Sequence, residues 1–303
     1  MPPNSCDVAI IGCGPAGLQA AIHASGRKAK VLVFGKPEKS SLYKAHVANY
    51  CCFEKVVTGK DLLEGGRHQA ESFEAVFIEQ DIIETKSEND LFTLVTESGE
   101  TFSSKALILA MGVSRKKLLV KGEKELVGRG VSYCVDCDAN FFRGLDVVVV
   151  GNESAAATGA ITLLGYAKQV HLVCRELRIS DLLHNQLKKS DVIVINDVWV
   201  KKIVGSDEVE EVLLTNGESL KVDGIFVELG AKGAMELAAN LGVIFDAETF
   251  SFIETNKKQE TNIPGLYAAG DITGQPWQIA KAVGEGCVAG LEAAGYAKKP
   301  ADS

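Results

Sequence analysis

No stretch of this 303-residue sequence reads as a targeting or membrane segment. The chain opens MPPNSCDVAIIG, so its first apolar run begins at once, with no cationic stretch before it as a secretion signal would need. No apolar run approaches the ~18 residues that suggest a membrane span. A soluble, cytoplasmic protein is expected, with no membrane partner. Excess positive charge is also missing. Lys and Arg number 32 against 40 Asp and Glu, a net charge of −8. Binding a phosphate backbone needs a basic surface, so nucleic acid is excluded as a main partner. Basic residues gather only locally, in SRKKLLVKGEK (114–124) and at Lys201–Lys202. Low-complexity runs are absent too, and a composition 46% hydrophobic and 24% charged suits two ordinary domains.

Metal-binding patterns are equally scarce. The five histidines, His23, His46, His68, His171 and His184, show no ligand spacing. Of eight cysteines, Cys6, Cys13, Cys174 and Cys287 sit among apolar or small residues and read as small buried hydrophobes. Cys51–Cys52 are adjacent, read first as packing residues, with a second thiol function as the sharper alternative. Only SYCVDCDANFF (132–142) holds a CxxC. Zinc ribbons and iron–sulfur clusters need four ligands, and this pair has no companion. A lone CxxC among βαβ patterns favours redox chemistry, and a short loop keeps two cysteines within bonding reach.

The βαβ pattern comes first in DVAIIGCGPAGLQAAIHASGRKAKVLVFG (7–35). The apolar run Val8–Ile11 suits a buried parallel strand. Gly12 then allows a tight turn, Gly14 lets the backbone approach a pyrophosphate, and Gly17 lets the helix pack on the strand. Pro15 and Ala16 open that helix, whose N-terminus favours an anion. An acidic residue usually follows the second strand to hold a ribose; here Phe34–Gly35 takes its place. KALILAMG (105–112), ending at Gly112, reads as a strand at the first domain's edge. Near the other end, GLYAAGD gives a strand, with Gly270 and Asp271 at its end placed for a ribitol hydroxyl. A long helix starts at about Gln278, and the amides there, after Trp277 and into Ile279, can reach a flavin carbonyl.

Together, GCGPAG, VANY (47–50), ALILAMG, KGEKELVGRGVSYCVDCD and IPGLYAAGD…AVGEG resemble the low-molecular-weight thioredoxin reductases, over nearly the whole chain. The CxxCD just before a second Rossmann strand is the specific signal. The resemblance implies an α/β protein of two Rossmann-like three-layer dinucleotide-binding domains, the second inserted in the first. Residues 1–112 plus 246–303 would bind FAD through Gly12, Gly14, Gly17, Asn49 and Asp271. Residues 113–245 would form an NADPH-domain-like redox domain carrying the CxxC. It also implies a homodimer and thioredoxin as substrate. Cys134–Cys137 would be the redox disulfide, with Cys137 facing the flavin and Cys134 attacking the partner disulfide. Asp138 would move the proton, or else would only cap the turn before ANFF.

The second glycine loop departs from the family. DVVVVGNESAAATGA (146–160) keeps Gly151 but puts Glu153 where the second glycine belongs. Two like charges ~4 Å apart repel by about 4 kcal/mol at an effective dielectric of about 20, roughly three powers of ten in affinity. Cys174 replaces the first of two basic residues expected for a 2′-phosphate, beside Arg175, Glu176 and Arg178. The loop after FVELG lacks its usual proline, and Trp277 stands where an arginine is usual. The resemblance thus narrows to the ferredoxin-dependent flavin thioredoxin reductases, with ferredoxin as a separate acidic partner near Arg115, Lys116, Lys117 and Lys121. NADPH, another flavin or a deazaflavin donor remain alternatives, as does a non-catalytic flavoprotein.

Overall fold

The computed structural model describes residues 4–51, 53–112, 117–133, 135–229, 234–247 and 252–299, without the side chains of residues 136, 137, 234 and 235. The fold is α/β, and the chain divides into two compact units. One comprises Met1–Thr96, Glu100–Val113 and Leu237–Ser303; the other Glu97–Gly99 and Ser114–Glu236. The second crossing lies at Leu237, where the sequence reading placed it at 246. The intervening residues are tied to the first unit: Thr85 Oγ1 donates to the Leu237 carbonyl at 2.9 Å, and Asn262 bonds both Ile244 N and the Gly242 carbonyl. Among the described residues, no helix is long and apolar enough to cross a membrane.

The first unit is built on a seven-stranded sheet. Strand Ser5–Ile11 pairs in parallel with Val31–Phe34 on one side and Thr101–Leu109 on the other, and Val76–Ile78 extends the row. Val8–Ile11 is buried throughout because both sheet faces are covered. The helices Pro15–Gly26 and Ile279–Ala297 pack closely through small residues. A Cβ on Gly286 would lie 2.2 Å from the Ala16 carbonyl oxygen, and one on Gly290 would lie 2.4 Å from that of Ala20. Strand Thr101–Leu109 is central, which corrects the edge position expected for 105–112. Its first half pairs with Leu91–Thr96, while its second half lies between Ser5–Ile11 and Leu266–Ala268. Its length lets one strand serve two sets of neighbours, and Ala106–Leu109 are accordingly buried.

The second unit has a five-stranded parallel sheet. Its order runs Ile193–Ile195, Gln169–Val173, Asp146–Val150, Gly224–Val227, Val131–Ser132. Strand Asp146–Val150 divides its side chains between two cores. Val148 and Val150 pack with Val131, Ile203 and Ile225; Val147 and Val149 pack with Ala156, Leu163 and Phe226. Period-2 alternation thus makes a buried strand apolar throughout. A three-stranded antiparallel sheet, Val200–Val204, Glu211–Leu214 and Ser219–Lys221, lies against the first of these cores.

Candidate flavin site and redox segment

The first glycine loop joins strand Ser5–Ile11 to helix Pro15–Gly26. Gly12 has φ +112°, and a Cβ there would meet the Ala110 carbonyl oxygen at 2.3 Å. A Cβ on Gly17 would meet the Gly12 carbonyl oxygen at 1.8 Å. Both glycines are therefore required by the protein itself. Gly14 differs. It is the N-cap, in extended backbone (φ −79°, ψ −175°) that any residue adopts, and a Cβ would find only Ser40 Oγ, at 3.6 Å. No protein atom forbids a side chain at Gly14, so the space it leaves is available to a ligand. Pro15 takes the first helical position, where its missing N–H costs nothing, and Ala16 is buried.

The turn carrying Asp271 lies over this loop. Gly270 has φ +89°, and a Cβ on it would be 2.9 Å from that of Ala16. Two side chains that the sequence reading did not single out hold the turn. Lys281 Nζ donates to the carbonyls of Gly270 (2.7 Å) and Gly274 (2.8 Å) and to Thr273 Oγ1 (2.8 Å). Glu285 accepts from Gly270 N and Thr273 Oγ1, both at 2.8 Å, and pairs with Lys281 at 3.1 Å. Burial pushes the Asp271 carboxyl up; Lys281 draws it down and Glu285 adds to the rise. The i,i+4 spacing of Lys281 and Glu285 was the available signal, but their loop partners were not visible in it.

The structure also brings Asn49 to Gln278, the Asn49 amide donating to Gln278 Oε1 at 3.1 Å. Ile279 begins the long helix, half-buried, and Trp277 is 56% exposed. Gly112 has φ +70° and nothing near its missing Cβ. Phe34 does not join the site. It is fully buried, its ring sits edge-on to Phe102 at 5.1 Å, and its carbonyl accepts from Gly12 N. Of that pair only Gly35, with φ +138° beside Cys13 Sγ, is left to face a nucleotide. Lys39 reaches Asp81 at 2.8 Å just beyond this strand, another contact that the sequence reading missed.

In the second unit, Asp138 ends the short helix Val135–Asp138. Its carboxylate does not cap the following turn but accepts the Ser132 hydroxyl at 2.6 Å. Cys134 and the side chain of Cys137 lie outside the described residues. The second glycine loop has Glu153 at the place of Gly14, with Ser154 and Ala156 at the places of Pro15 and Gly17. Glu153 is the N-cap of helix Ser154–Leu163, in the extended backbone (φ −128°, ψ −171°) of Gly14, and its side chain does not cap the helix. Gly151 remains necessary, since a Cβ would meet the Glu228 carbonyl oxygen at 2.0 Å. Cys174 is buried, its thiol bonded to Asn196 Oδ1 at 3.0 Å and pushed up to about 11 by burial. Arg175 stacks on Trp199 at 5.1 Å.

Burial likewise raises Cys6 and Cys13 to about 12, as expected of inert packing residues, while Cys287 is only partly buried. Cys51 is exposed, which corrects the packing role expected of it, and Cys52 lies outside the described residues. Lys117 and Lys121 are exposed; Arg115 and Lys116 lie outside the description.

The pyridine nucleotide-disulphide oxidoreductase family matches residues 6–286. The chain belongs to this family. It is 33% identical to a thioredoxin reductase of Listeria monocytogenes, over 98% of this chain and 95% of that protein. It is 34% identical to a bifunctional thioredoxin reductase/thioredoxin of Mycobacterium leprae, covering 95% of this chain but 65% of the relative's length. Among solved structures, the atypical thioredoxin reductase TRi of Desulfovibrio vulgaris Hildenborough is 35% identical with a TM-score of 0.81, over 96% of this chain and 98% of that one. A ferredoxin-flavin thioredoxin reductase of Clostridium acetobutylicum is 34% identical with a TM-score of 0.65, over 96% and 97%. The chain thus falls among the thioredoxin reductases of its family, whose cofactor is FAD. The open face at Gly14, the half-buried Asp271 and the clamped turn between them fit a dinucleotide of that kind.

Proposed function

We propose that the chain is a flavin-dependent thioredoxin reductase that draws on a donor such as reduced ferredoxin rather than on NADPH. The observation that carries this reading is Glu153, which stands in the second glycine loop where Gly14 stands in the first. A carboxylate there takes the place of a pyrophosphate and repels it. Cys174 supports the same reading. Where a 2′-phosphate would need a cation, it presents a buried neutral thiol turned toward Asn196. The likeness to a ferredoxin-flavin thioredoxin reductase adds a precedent for such a donor.

FAD, when bound, can take up electrons singly from a one-electron donor such as reduced ferredoxin, two donor molecules per turnover, and pass them as a pair to a disulfide. Gly12, Gly14, Ala16, Gly17, Gly35, Asn49, Gly112, Gly270, Asp271, Trp277, Gln278 and Ile279 would hold it. Lys281 and Glu285 keep the Asp271 turn in place before the cofactor arrives. Cys134 and Cys137 would form the disulfide that is reduced in turn. Cys134 would then attack the disulfide of thioredoxin, and Asp138, held by Ser132, would hold or give the proton. A cytoplasmic homodimer is the expected form.

An anaerobic titration tests the donor. NADPH, NADH and reduced ferredoxin are added separately, and bleaching of the flavin band is followed. Bleaching by ferredoxin, with none by either nicotinamide on the turnover timescale, is expected. Rapid bleaching by NADPH would return the chain to the nicotinamide-dependent branch.

A further inference from the structure

Leu119 is 86% exposed, more than any other large apolar residue among those described. Its backbone is left-handed, with φ +59°. Any side chain is disfavoured there, and glycine alone is free of the strain. At that exposure the leucine gains little burial within its own chain to offset the strain. The conformation is held from below by Glu123, which is only 3% exposed. Its carboxylate accepts Leu118 N at 2.8 Å, Leu119 N at 2.7 Å and the Tyr133 hydroxyl at 3.0 Å. The segment is also laid tightly against strand Val200–Val204. Ile203 N donates to the Lys121 carbonyl at 2.9 Å, and a Cβ on Gly122 would meet the Ile203 carbonyl oxygen at 2.0 Å. Leu119 is thus presented to solvent by a fixed support, wholly within the second unit.

Lysines gather beside it. Lys121 pairs in parallel with Lys202, which sets the two side chains on one face. Lys117, Lys121, Lys124 and Lys201 are exposed, and Lys202 is half-buried. None of them forms an ion pair among the described residues. The nearby acids do not neutralise the group. Glu123 is spent on the amides beneath Leu119, Glu211 lies opposite Lys221 on the neighbouring strands, and Glu125 alone is exposed in the same segment. The whole chain carries a net charge of −8, so this local excess of cations runs against its overall sign.

An exposed apolar side chain ringed by unpaired cations complements an acidic surface with an apolar recess. We propose that Leu119, with Lys117, Lys121, Lys201 and Lys202, is a docking surface for the acidic protein that donates electrons. The inference rests on the reading of ferredoxin as donor. The lysines steer the carboxylate-rich donor into encounter, and Leu119 fixes its register once salt and water have left the contact.

The test is a titration of FAD-loaded protein with an oxidised acidic bacterial ferredoxin. Lys121→Glu with Lys202→Glu should weaken binding by at least ~10-fold at about 50 mM salt, and the difference should shrink near 0.5 M. Leu119→Gly should weaken binding by ~5-fold while the melting temperature holds or rises, since the strain is relieved. Lys28→Glu with Lys60→Glu makes the same change of net charge on exposed lysines of the first unit, and should leave affinity within about 2-fold. Where the complex is too weak to titrate, the second-order rate of flavin bleaching by limiting reduced ferredoxin carries the same comparison. Unchanged affinity and rate in the first two variants, or equal weakening in the control, overturns this inference alone. So does a loss confined to thioredoxin binding, or a homodimer that Leu119→Gly dissociates in sedimentation. A wild-type flavin that reduced ferredoxin does not bleach overturns the donor reading, and the inference with it.

Discussion

Gly14 and Glu153 hold one structural position in two copies of the same loop. Each is the extended N-cap of the helix that follows the first strand of its βαβ unit. The first carries no side chain and the second carries a carboxylate. Replacing Glu153 with Gly, together with Cys174→Arg and Glu176→Arg, should therefore open the second loop to NADPH. A gain of at least ~10-fold in binding is expected, since removing one close repulsion is worth up to about 4 kcal/mol. Isothermal titration of the triple variant against the unaltered protein measures it. No gain would mean that a feature elsewhere blocks the nucleotide.

The reciprocal change is Gly14→Glu. A side chain at Gly14 finds only Ser40 nearby, so the apoprotein should fold with nearly unchanged stability. FAD affinity should fall by roughly three powers of ten, for the same repulsion. Gly17→Ala is the contrasting variant. Its Cβ would sit 1.8 Å from a backbone oxygen, so it should lose stability even without cofactor. Flavin absorbance per chain and apoprotein melting curves separate the two effects.

The glycine loops were legible because each glycine answers to atoms a few residues away or to the ligand itself. The parallel strands were legible because runs such as Val147–Val150 have no other use. What the sequence hid lay in long-range partners. Asn49 and Gln278 are 229 residues apart, and Val135 and Glu228 are 93 apart. The central place of Thr101–Leu109 depends on Leu266–Ala268, which arrives much later in the chain. Phe34 was misread as a contact because its position after the strand said nothing of the Phe102 ring against which it packs. Cys51 was misread because small apolar character alone does not bury a residue in a loop.

Lys281 is a mostly buried cation in the first turn of its helix, where the backbone dipole disfavours positive charge. Its partners on the Asp271 turn outweigh that. Lys281→Met should lower stability by about 2 kcal/mol, because the turn carbonyls lose their donor and Glu285 loses its counter-charge. Denaturant unfolding of the apoprotein gives the first figure. FAD binding should weaken as well, by about 10-fold. Loss of neither would show that the turn stands without its clamp.

Asp271 carries a different cost. Its carboxyl is raised in the folded protein, chiefly by burial. A raised acid stabilises the fold only below its unfolded value, and that contribution is lost as pH climbs through the folded value. At pH 7 the apoprotein therefore bears the penalty of an ionised, half-buried carboxylate. Asp271→Asn should raise the apoprotein melting temperature at pH 7 by about 1–2 °C and leave it unchanged near pH 3. The same variant should bind FAD more weakly. A melting temperature that falls equally at both pH values would contradict this assignment.

The cysteine pair separates catalysis from cofactor binding. Disulfide exchange needs a thiolate nucleophile and a second thiol to resolve the mixed disulfide. Cys134→Ser removes the proposed nucleophile, so thioredoxin reduction should fall by at least ~10³-fold, because a serine hydroxyl does not attack a disulfide at neutral pH. FAD content should stay normal, since the residues proposed to hold FAD all lie in the first unit. Cys137 would then remain as a single thiol and should perturb the flavin absorbance. Cys137→Ser makes the complementary case. Cys134 still attacks, one thioredoxin sulfur leaves, and no partner thiol remains to resolve the bond. A stable mixed disulfide with thioredoxin should then accumulate on a non-reducing gel. Full turnover in Cys134→Ser, or a trapped adduct in that variant but not in Cys137→Ser, would reverse the roles of the two cysteines or remove the pair from the reaction.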